Sequence, residues 1–235
     1  MCQAAAVQQD HPGPPTSHGD GAARRVDVAR LVRELQSDPQ PRLTWYGGGG
    51  ARVELTGRVL AQWVAKTAHL LLEEADVTAG STVRVALGPD WRAPVFWLAT
   101  WYLGARTSQD PAGAPDASPD VDVVVEGAAP QGGPTAAVTV VVGASALPRP
   151  VADLPAGAVD YGAEVSGQPD QLPAPGATTA VSAPTLGGGR VLLGAGSTPA
   201  QVLGTWAAGG SVVLHTGLDA DELDRVAAQE NASYR

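Results

Sequence analysis

The chain has 235 residues, of which 44% are hydrophobic, and its formal net charge is −9. A hydrophobic share of this size can bury a core, which excludes a fully disordered chain, while the acidic balance argues against nucleic acid and anionic membranes as main partners. A single cysteine excludes a disulfide framework within the chain and most cysteine-based metal sites. No apolar run approaches the about 20 residues that cross a bilayer, and residues 1–10 lack the basic and apolar regions of a signal peptide, so we expect a cytoplasmic protein without a membrane partner.

The N-terminal segment, residues 1–24, is rich in Pro, Gly, Gln, Ser and His and shows no periodicity. This composition predicts a disordered tail ahead of one domain over residues 25–235. His11 and His18 could bind a metal ion, but two histidines without a third ligand do not define a metal site, and no metal is expected. Cys2 lies in the same tail, where a nucleophilic role is not expected.

Hydrophobic periodicity and capping residues predict the elements of the first half of the chain. In chain order they are a helix over 27–36, strands over 42–46 and 52–55, a helix over 57–74, a strand over 82–87 and a helix over 90–103. Gly47–Gly50 separates the first two strands, and we interpret it as a hairpin turn because a phosphate-binding loop needs a helix directly after it. The helix over 90–103 is apolar on all sides, which predicts a buried helix whose tryptophans belong to the core. The alternation of helices and strands over 52–108 predicts a βαβ unit with a parallel sheet.

A polar row follows one side of the helix over 57–74, where Gln62, Lys66, His69 and Glu73 recur at i, i+4, i+7 and i+11. His69 and Glu73 are one turn apart, so the imidazole could act as a general base beside the carboxylate. We favour the simpler interpretation, in which this row is a solvated helix face.

Two runs rich in valine, over 122–125 and 138–142, predict parallel strands that are buried on both faces. Residues 143–189 have little periodicity and many prolines, and predict either a segment wrapped over the surface or one that is partly disordered. Within it, Asp160 and Tyr161 could anchor a turn. Order returns in a strand over 190–193, a helix over 199–208, a strand over 211–215 and a helix over 219–229. The predicted fold class is α/β, with a mainly parallel sheet flanked by helices.

Several stretches of the sequence resemble one superfamily in the right order along the chain. They are Leu43-Thr-Trp-Tyr46, Glu54-Leu-Thr56, Leu60-Ala-Gln-Trp-Val-Ala65, Ala68-His-Leu-Leu-Leu72, Gly80-Ser-Thr-Val-Arg-Val-Ala-Leu87, Leu98-Ala-Thr-Trp-Tyr-Leu-Gly-Ala105 and Trp206-Ala-Ala-Gly-Gly-Ser-Val-Val-Leu214. They resemble the N-terminal part of the adenylate-forming enzymes, which include acyl-CoA synthetases, nonribosomal peptide adenylation domains and luciferases. The chain also resembles a short family of high-GC bacteria that is related to these AMP-binding enzymes but truncated. The resemblance covers residues 43–105 and 190–230 and implies the α/β fold of the N-terminal subdomain of such enzymes.

The same resemblance implies a Ser/Thr/Gly-rich phosphate loop with a lysine, and this sequence has no such run. The nearest candidate is the strand-to-helix turn Gly194-Ala-Gly-Ser-Thr-Pro-Ala200, in which Gly194, Gly196, Ser197 and Thr198 could hold a phosphate through backbone N–H groups. The alternative is a plain turn between a strand and a helix. Lys66, the only lysine, lies mid-helix, and the adenine site and catalytic lysine that the resemblance implies have no counterpart in these 235 residues.

The resemblance and its departures together predict a non-catalytic relative of the AMP-binding, acyl-adenylate-forming enzymes that keeps a weak groove for a nucleotide or acyl ligand. Two alternatives stay open. One is a scaffold that binds a protein partner, and the other is half of a split adenylating enzyme that a partner completes. No cofactor is expected, and the oligomeric state is left open.

Overall fold

The computed structural model describes residues 23–108, 118–128, 135–194 and 196–234. The strands are β1 (Ala23–Asp27), β2 (Pro41–Tyr46), β3 (Arg52–Thr56), β4 (Thr82–Ala86), β5 (Arg106–Thr107), β6 (Val121–Val125), β7 (Val138–Val142), β8 (Val159–Asp160), β9 (Ala180–Pro184), β10 (Arg190–Leu193), β11 (Ser211–His215) and β12 (Ser233–Tyr234). The α-helices are α1 (Val28–Gln36), α2 (Gly57–Glu73), α3 (Arg92–Tyr102), α4 (Tyr161–Glu164), α5 (Pro199–Ala207) and α6 (Ala220–Glu230). Most of the predicted tail, with Cys2, His11 and His18, lies outside the described residues.

The strands form two five-stranded sheets and one two-stranded ribbon. The first sheet, which we call the hairpin sheet, has the order β12-β10-β11-β2-β3 and is parallel except for the predicted β2–β3 hairpin. The second, which we call the parallel sheet, has the order β5-β4-β6-β7-β8, and all its strand pairs are parallel. The ribbon joins β1 and β9 in antiparallel pairing. The predicted α/β class with a parallel sheet flanked by helices is confirmed.

Three helices pack between the two sheets. Helix α2 contacts β2 and β3 of the hairpin sheet, α3 contacts β4 and β5 of the parallel sheet, and both contact each other and α1. Every residue of α3 is buried, as its all-round apolar sequence predicts. The predicted βαβ unit over 52–108 is wrong in its first strand, because β3 and β4 belong to different sheets; the unit that forms is β4–α3–β5.

Helices α5 and α6 cover opposite faces of the hairpin sheet. Val202, Leu203 and Trp206 of α5 belong to the main core together with alternate residues of β10 and β11. Val226 of α6 packs in a second, smaller cluster with Leu192 and Val213, which point the other way because successive strand residues face opposite sides. Within the described ranges, no helix is long and apolar enough to cross a membrane.

Strand β1 was not predicted, and it extends order into residues 23 and 24, which the predicted tail included. Its sequence, Ala-Arg-Arg-Val-Asp, lacks the alternation of a half-buried strand. The strand forms because its backbone pairs with β9, and Asp27 at its end caps α1 by accepting a hydrogen bond from the Arg30 N–H at 3.1 Å.

The irregular segment 143–189 holds β8, α4 and β9, and it is closer to the first of the two predicted alternatives, except that Tyr161, Val165 and Ala183 are buried in the core. Asp160 is the predicted anchor: its carboxylate accepts hydrogen bonds from the backbone N–H groups of Val151, Gly162 and Ala163, at 2.7, 2.9 and 3.1 Å. Tyr161 is fully buried, and its hydroxyl shares a 2.9 Å hydrogen bond with Thr67 of α2. Burial raises the pKa of Tyr161, so the phenol stays protonated.

Residues 166–173, which we call the strap, cross α2 and correct the prediction of a solvated polar row. The Lys66 ammonium donates to the carbonyls of Ser166 and Gln168 at 3.2 and 2.5 Å and pairs with Asp170 at 3.0 Å. His69 lies 3.0 Å from the Gln171 carbonyl and 3.5 Å from Glu73. Lys66 and His69 therefore hold a distant part of the chain in place, whereas Gln62 and Glu73 are exposed, as predicted. The imidazole that could have acted as a general base contacts the strap instead.

Candidate functional site

The carboxyl ends of β10, β11 and β2 meet at one edge of the hairpin sheet, because these three strands are parallel. The chain leaves β10 for α5 on one face and leaves β11 for α6 on the other. Adjacent strands whose connections depart to opposite faces open a crevice between them, and in open α/β sheets ligands bind at such a switch point. The candidate site is this crevice, which we call the switch-point crevice.

His215, the last residue of β11, lies across the crevice against Gly194, the first residue after β10. A Cβ atom at Gly194 would come within 2.9 Å of the imidazole Nε2, so the ring occupies the space that any side chain at this position would need. The other ring nitrogen, Nδ1, is buried and has no hydrogen-bond partner among the described residues. Burial lowers the pKa of His215, because the charged ring would lose solvation there. The crevice therefore presents a neutral imidazole.

Thr216 connects this edge to the parallel sheet. Its hydroxyl donates to the Pro89 carbonyl in the loop after β4, at 3.1 Å, and accepts a hydrogen bond from the Trp45 indole N–H at 3.3 Å. The indole in turn lies across the backbone of Gly47, where a Cβ atom would come within 2.1 Å of the ring. The glycine turn predicted between β2 and β3 thus leaves room for the Trp45 ring, which packs in the main core on the face of the sheet opposite to His215.

The four predicted site residues lie together at the turn between β10 and α5, and Ala195 between them lies outside the described residues. The Ser197 N–H donates to the Gly194 carbonyl at 3.1 Å. Thr198 and Gln201 form a capping box: the Gln201 side chain accepts from the Thr198 N–H at 2.8 Å, and the Thr198 hydroxyl accepts from the Gln201 N–H at 3.3 Å. The N–H groups of Ser197, Thr198 and Gln201 are therefore used within the turn, and Pro199 has none.

Sequence reasoning placed the turn correctly and missed the histidine. His215 ends a predicted parallel strand, and polar residues at carboxyl ends of parallel strands are the signal that could have identified it. Thr216 and Trp45 gave no comparable signal, because their pairing joins residues 171 positions apart. Among the described residues, no group of three or more His, Cys, Asp or Glu side chains is arranged to hold a metal ion.

We expect His215 to make the folded chain less stable at acid pH. Below about pH 6.5 the unfolded chain gains a proton on this histidine that the folded chain does not take up until the pH reaches its lowered folded pKa. The free energy of unfolding should therefore decrease as the pH falls from about 7 to about 5. The change should be smaller in His215→Asn, measured by urea unfolding at each pH, and identical pH slopes for both proteins would contradict the assignment.

The architecture is that of the acyl-CoA synthetase fold, as three solved structures show. An acyl-CoA synthetase from Brucella canis superposes with a TM-score of 0.66 and 13% identity over 92% of this chain. Acetoacetyl-CoA synthetase from Streptomyces lividans gives 0.64 and 16% over 89%, and an amide bond synthetase from Marinactinospora thermotolerans gives 0.57 and 17% over 88%. The matched parts make up 48%, 42% and 47% of those chains. The predicted resemblance is confirmed at the level of the fold.

In sequence, the chain is similar to a TIGR03089 family protein of Mycobacterium tuberculosis (strain ATCC 25618 / H37Rv). The two are 32% identical over 146 residues, which is 59% of this chain and 58% of that protein. No protein-family model matches the chain. The chain thus spans about half the length of the structures it resembles, and aligns with little more than half of this relative.

Proposed function

We propose that the chain binds the acyl or nucleoside part of an acyl adenylate in the switch-point crevice and does not form adenylates itself. The acyl-CoA synthetase fold supports the ligand class, since the crevice lies where ligands bind in folds of this kind. The neutral His215 ring supports an uncharged ligand part rather than a polyphosphate.

The capping box at the start of α5 supports the second part of the proposal, that the chain does not form adenylates itself. A triphosphate needs several free backbone N–H groups and a cation to balance its charge. At the crevice, the N–H groups of Ser197, Thr198 and Gln201 already donate within the protein. Lys66, the only lysine of the sequence, binds the strap on another part of the surface. Gripping the phosphates of ATP would require breaking these bonds, so we expect ATP to bind more weakly than an acyl adenylate.

Isothermal titration of the purified chain with a non-hydrolysable acyl-adenylate analogue, AMP and ATP tests the proposal, together with ATP–pyrophosphate exchange. We expect the analogue to bind most tightly and exchange to be absent. Gly194→Ala should weaken the analogue about tenfold, because the new methyl group displaces His215 into the crevice. Gly189→Ala, at the opposite end of β10 where a Cβ atom meets open space, is the matched control and should bind normally.

Each part of the proposal has its own contrary result. Exchange catalysed by the chain alone would contradict the non-catalytic assignment. Failure of the acyl-adenylate analogue to bind would contradict the ligand site in the switch-point crevice. Equal loss of binding in the Gly194 and Gly189 variants would show that the ligand does not lie at the switch point.

A further inference from the structure

A second concave surface lies between α1, α2 and the strap. It is a polar groove with a volume of about 590 Å³. Its lining residues are Arg33, Gln36, Arg58, Gln62, Tyr102, Asp170, Gln171 and Leu172. A volume of this size falls within the range of small-molecule sites, about 300–1,000 Å³.

Two exposed arginines line this groove. Neither Arg33 nor Arg58 forms an ion pair within the described part of the chain, whereas six other arginines do. Asp170, the one carboxylate in the lining, is paired with Lys66 at 3.0 Å. The groove is therefore locally positive in a chain whose net charge is −9.

The walls of the groove are held by hydrogen bonds and do not depend on a ligand. Lys66 and His69 hold the strap by its carbonyls, and the buried Tyr102 donates to the Pro173 carbonyl at 2.9 Å. The Arg33 Nε donates to the Ala29 carbonyl of its own helix at 3.1 Å, which fixes the base of the guanidinium, and the residue is exposed. Burial raises the pKa of Tyr102, and the positive charge of Arg33 opposes this rise.

We propose that this groove binds a small organic phosphate, a phosphate monoester that carries a hydroxyl-rich group. Two guanidinium groups match the charge of a phosphate monoester, about −1.5 to −2 at neutral pH, better than the single charge of a carboxylate. Their planar donors suit the phosphate oxygens. The amides of Gln36, Gln62 and Gln171 supply donors and acceptors for hydroxyl groups beside the phosphate. This proposal is independent of the switch-point crevice.

Isothermal titration with ribose 5-phosphate, ribose and inorganic phosphate tests the site on the full chain. We expect ribose 5-phosphate to bind, inorganic phosphate to bind more weakly and ribose not to bind. Arg33→Gln and Arg58→Gln should each weaken ribose 5-phosphate about tenfold, since each removes a charge-assisted contact. Both residues are exposed, so the variants are expected to fold, which thermal unfolding checks.

Arg225→Gln on α6 is the matched control, because it removes the same charge from an exposed position on another face of the molecule. Normal binding by this variant, with loss in the two groove variants, would support the site. Equally weakened binding of ribose 5-phosphate in all three variants would mean that only the net charge matters, and would overturn the proposal. Absence of ribose 5-phosphate binding at millimolar concentration would overturn it as well. Binding of the acyl-adenylate analogue should stay unchanged in the groove variants, so this test and the test of the crevice fail separately.

Discussion

Asp90→Ala should destabilise the folded chain by about 3–5 kcal/mol, the cost of leaving a buried charge without its partner. Arg92 at the start of α3 is 2% exposed, and its guanidinium makes two hydrogen bonds to the Asp90 carboxylate, both at 2.7 Å. Its remaining NH₂ group donates to the Gly143 carbonyl at 2.8 Å. The carboxylate also accepts from the Arg92 backbone N–H at 2.8 Å, so the variant loses a helix-terminal contact as well.

The converse variant, Arg92→Met, should cost less, about 1–3 kcal/mol. The Asp90 side chain is 13% exposed and can regain water when its partner is gone, whereas the arginine side chain is only 2% exposed. The methionine also fills most of the volume of the arginine stem. Urea unfolding of both variants measures which of the two losses of stability is larger. An Arg92→Met loss equal to or larger than that of Asp90→Ala would contradict the argument from burial.

The Asp90–Arg92 ion pair closes the carboxyl edge of the parallel sheet. A ligand therefore fits better at the carboxyl edge of the hairpin sheet. The Trp91 indole adds to the closure by donating to the Ala146 carbonyl at 2.8 Å. Asp160 completes it through the three backbone bonds that hold the segment after β7. At the hairpin sheet, by contrast, the carboxyl edge ends in an imidazole with an unpartnered nitrogen among the described residues. The polar groups named at the edge of the parallel sheet have hydrogen-bond partners, whereas His215 Nδ1 at the edge of the hairpin sheet has none among the described residues. The edge of the hairpin sheet is therefore the candidate site.

The elements of this fold could be predicted from the sequence because their signals are local. The apolar row of α2, the Thr56 cap and the valine-rich strands β6 and β7 all lie within a few residues of the features they define. The division into two sheets could not be predicted in the same way. A strand, a helix and a strand in succession have the same periodicities whether the strands pair or, like β3 and β4, join different sheets.

The contacts that the sequence did not predict join residues far apart in the chain. Lys66 and His69 fit the pattern of a solvated helix face, and their partners are carbonyl groups about 100 positions later, which carry no side-chain signal. Strand β1 depends on β9 for the same reason. In the candidate site, the glycine-containing turn between β10 and α5 was a local signal in the sequence. The neutral state of His215, by contrast, follows from burial that only the assembled sheet creates.

Glu230→Gln should be the second most damaging of these substitutions, with a loss of about 2–4 kcal/mol, because Glu230 is the centre of a charge network on the α6 face of the hairpin sheet. Its side chain is 8% exposed and accepts hydrogen bonds from the Tyr46 hydroxyl and from the guanidinium groups of Arg52 and Arg190. A neutral amide can replace part of this bonding but leaves Arg52 and Arg190 to share Glu54 as their negative partner, at 2.6 and 3.8 Å. Asp153→Asn, an exposed position with the same change of charge, is the control and should alter stability by less than about 0.5 kcal/mol.

The pH dependence of this loss separates the charge of Glu230 from its packing. Burial alone would raise the pKa of Glu230, but the hydrogen bonds from Tyr46, Arg52 and Arg190 outweigh it and hold the pKa below the ordinary value of 4.5. The stabilisation is therefore fully present above about pH 4.5 and is lost as the pH falls through the lowered folded pKa. The difference in unfolding free energy between the wild-type chain and Glu230→Gln should shrink over that interval, measured by urea unfolding. A difference that stays constant down to acid pH would mean that Glu230 acts through shape and hydrogen bonding and not through its charge.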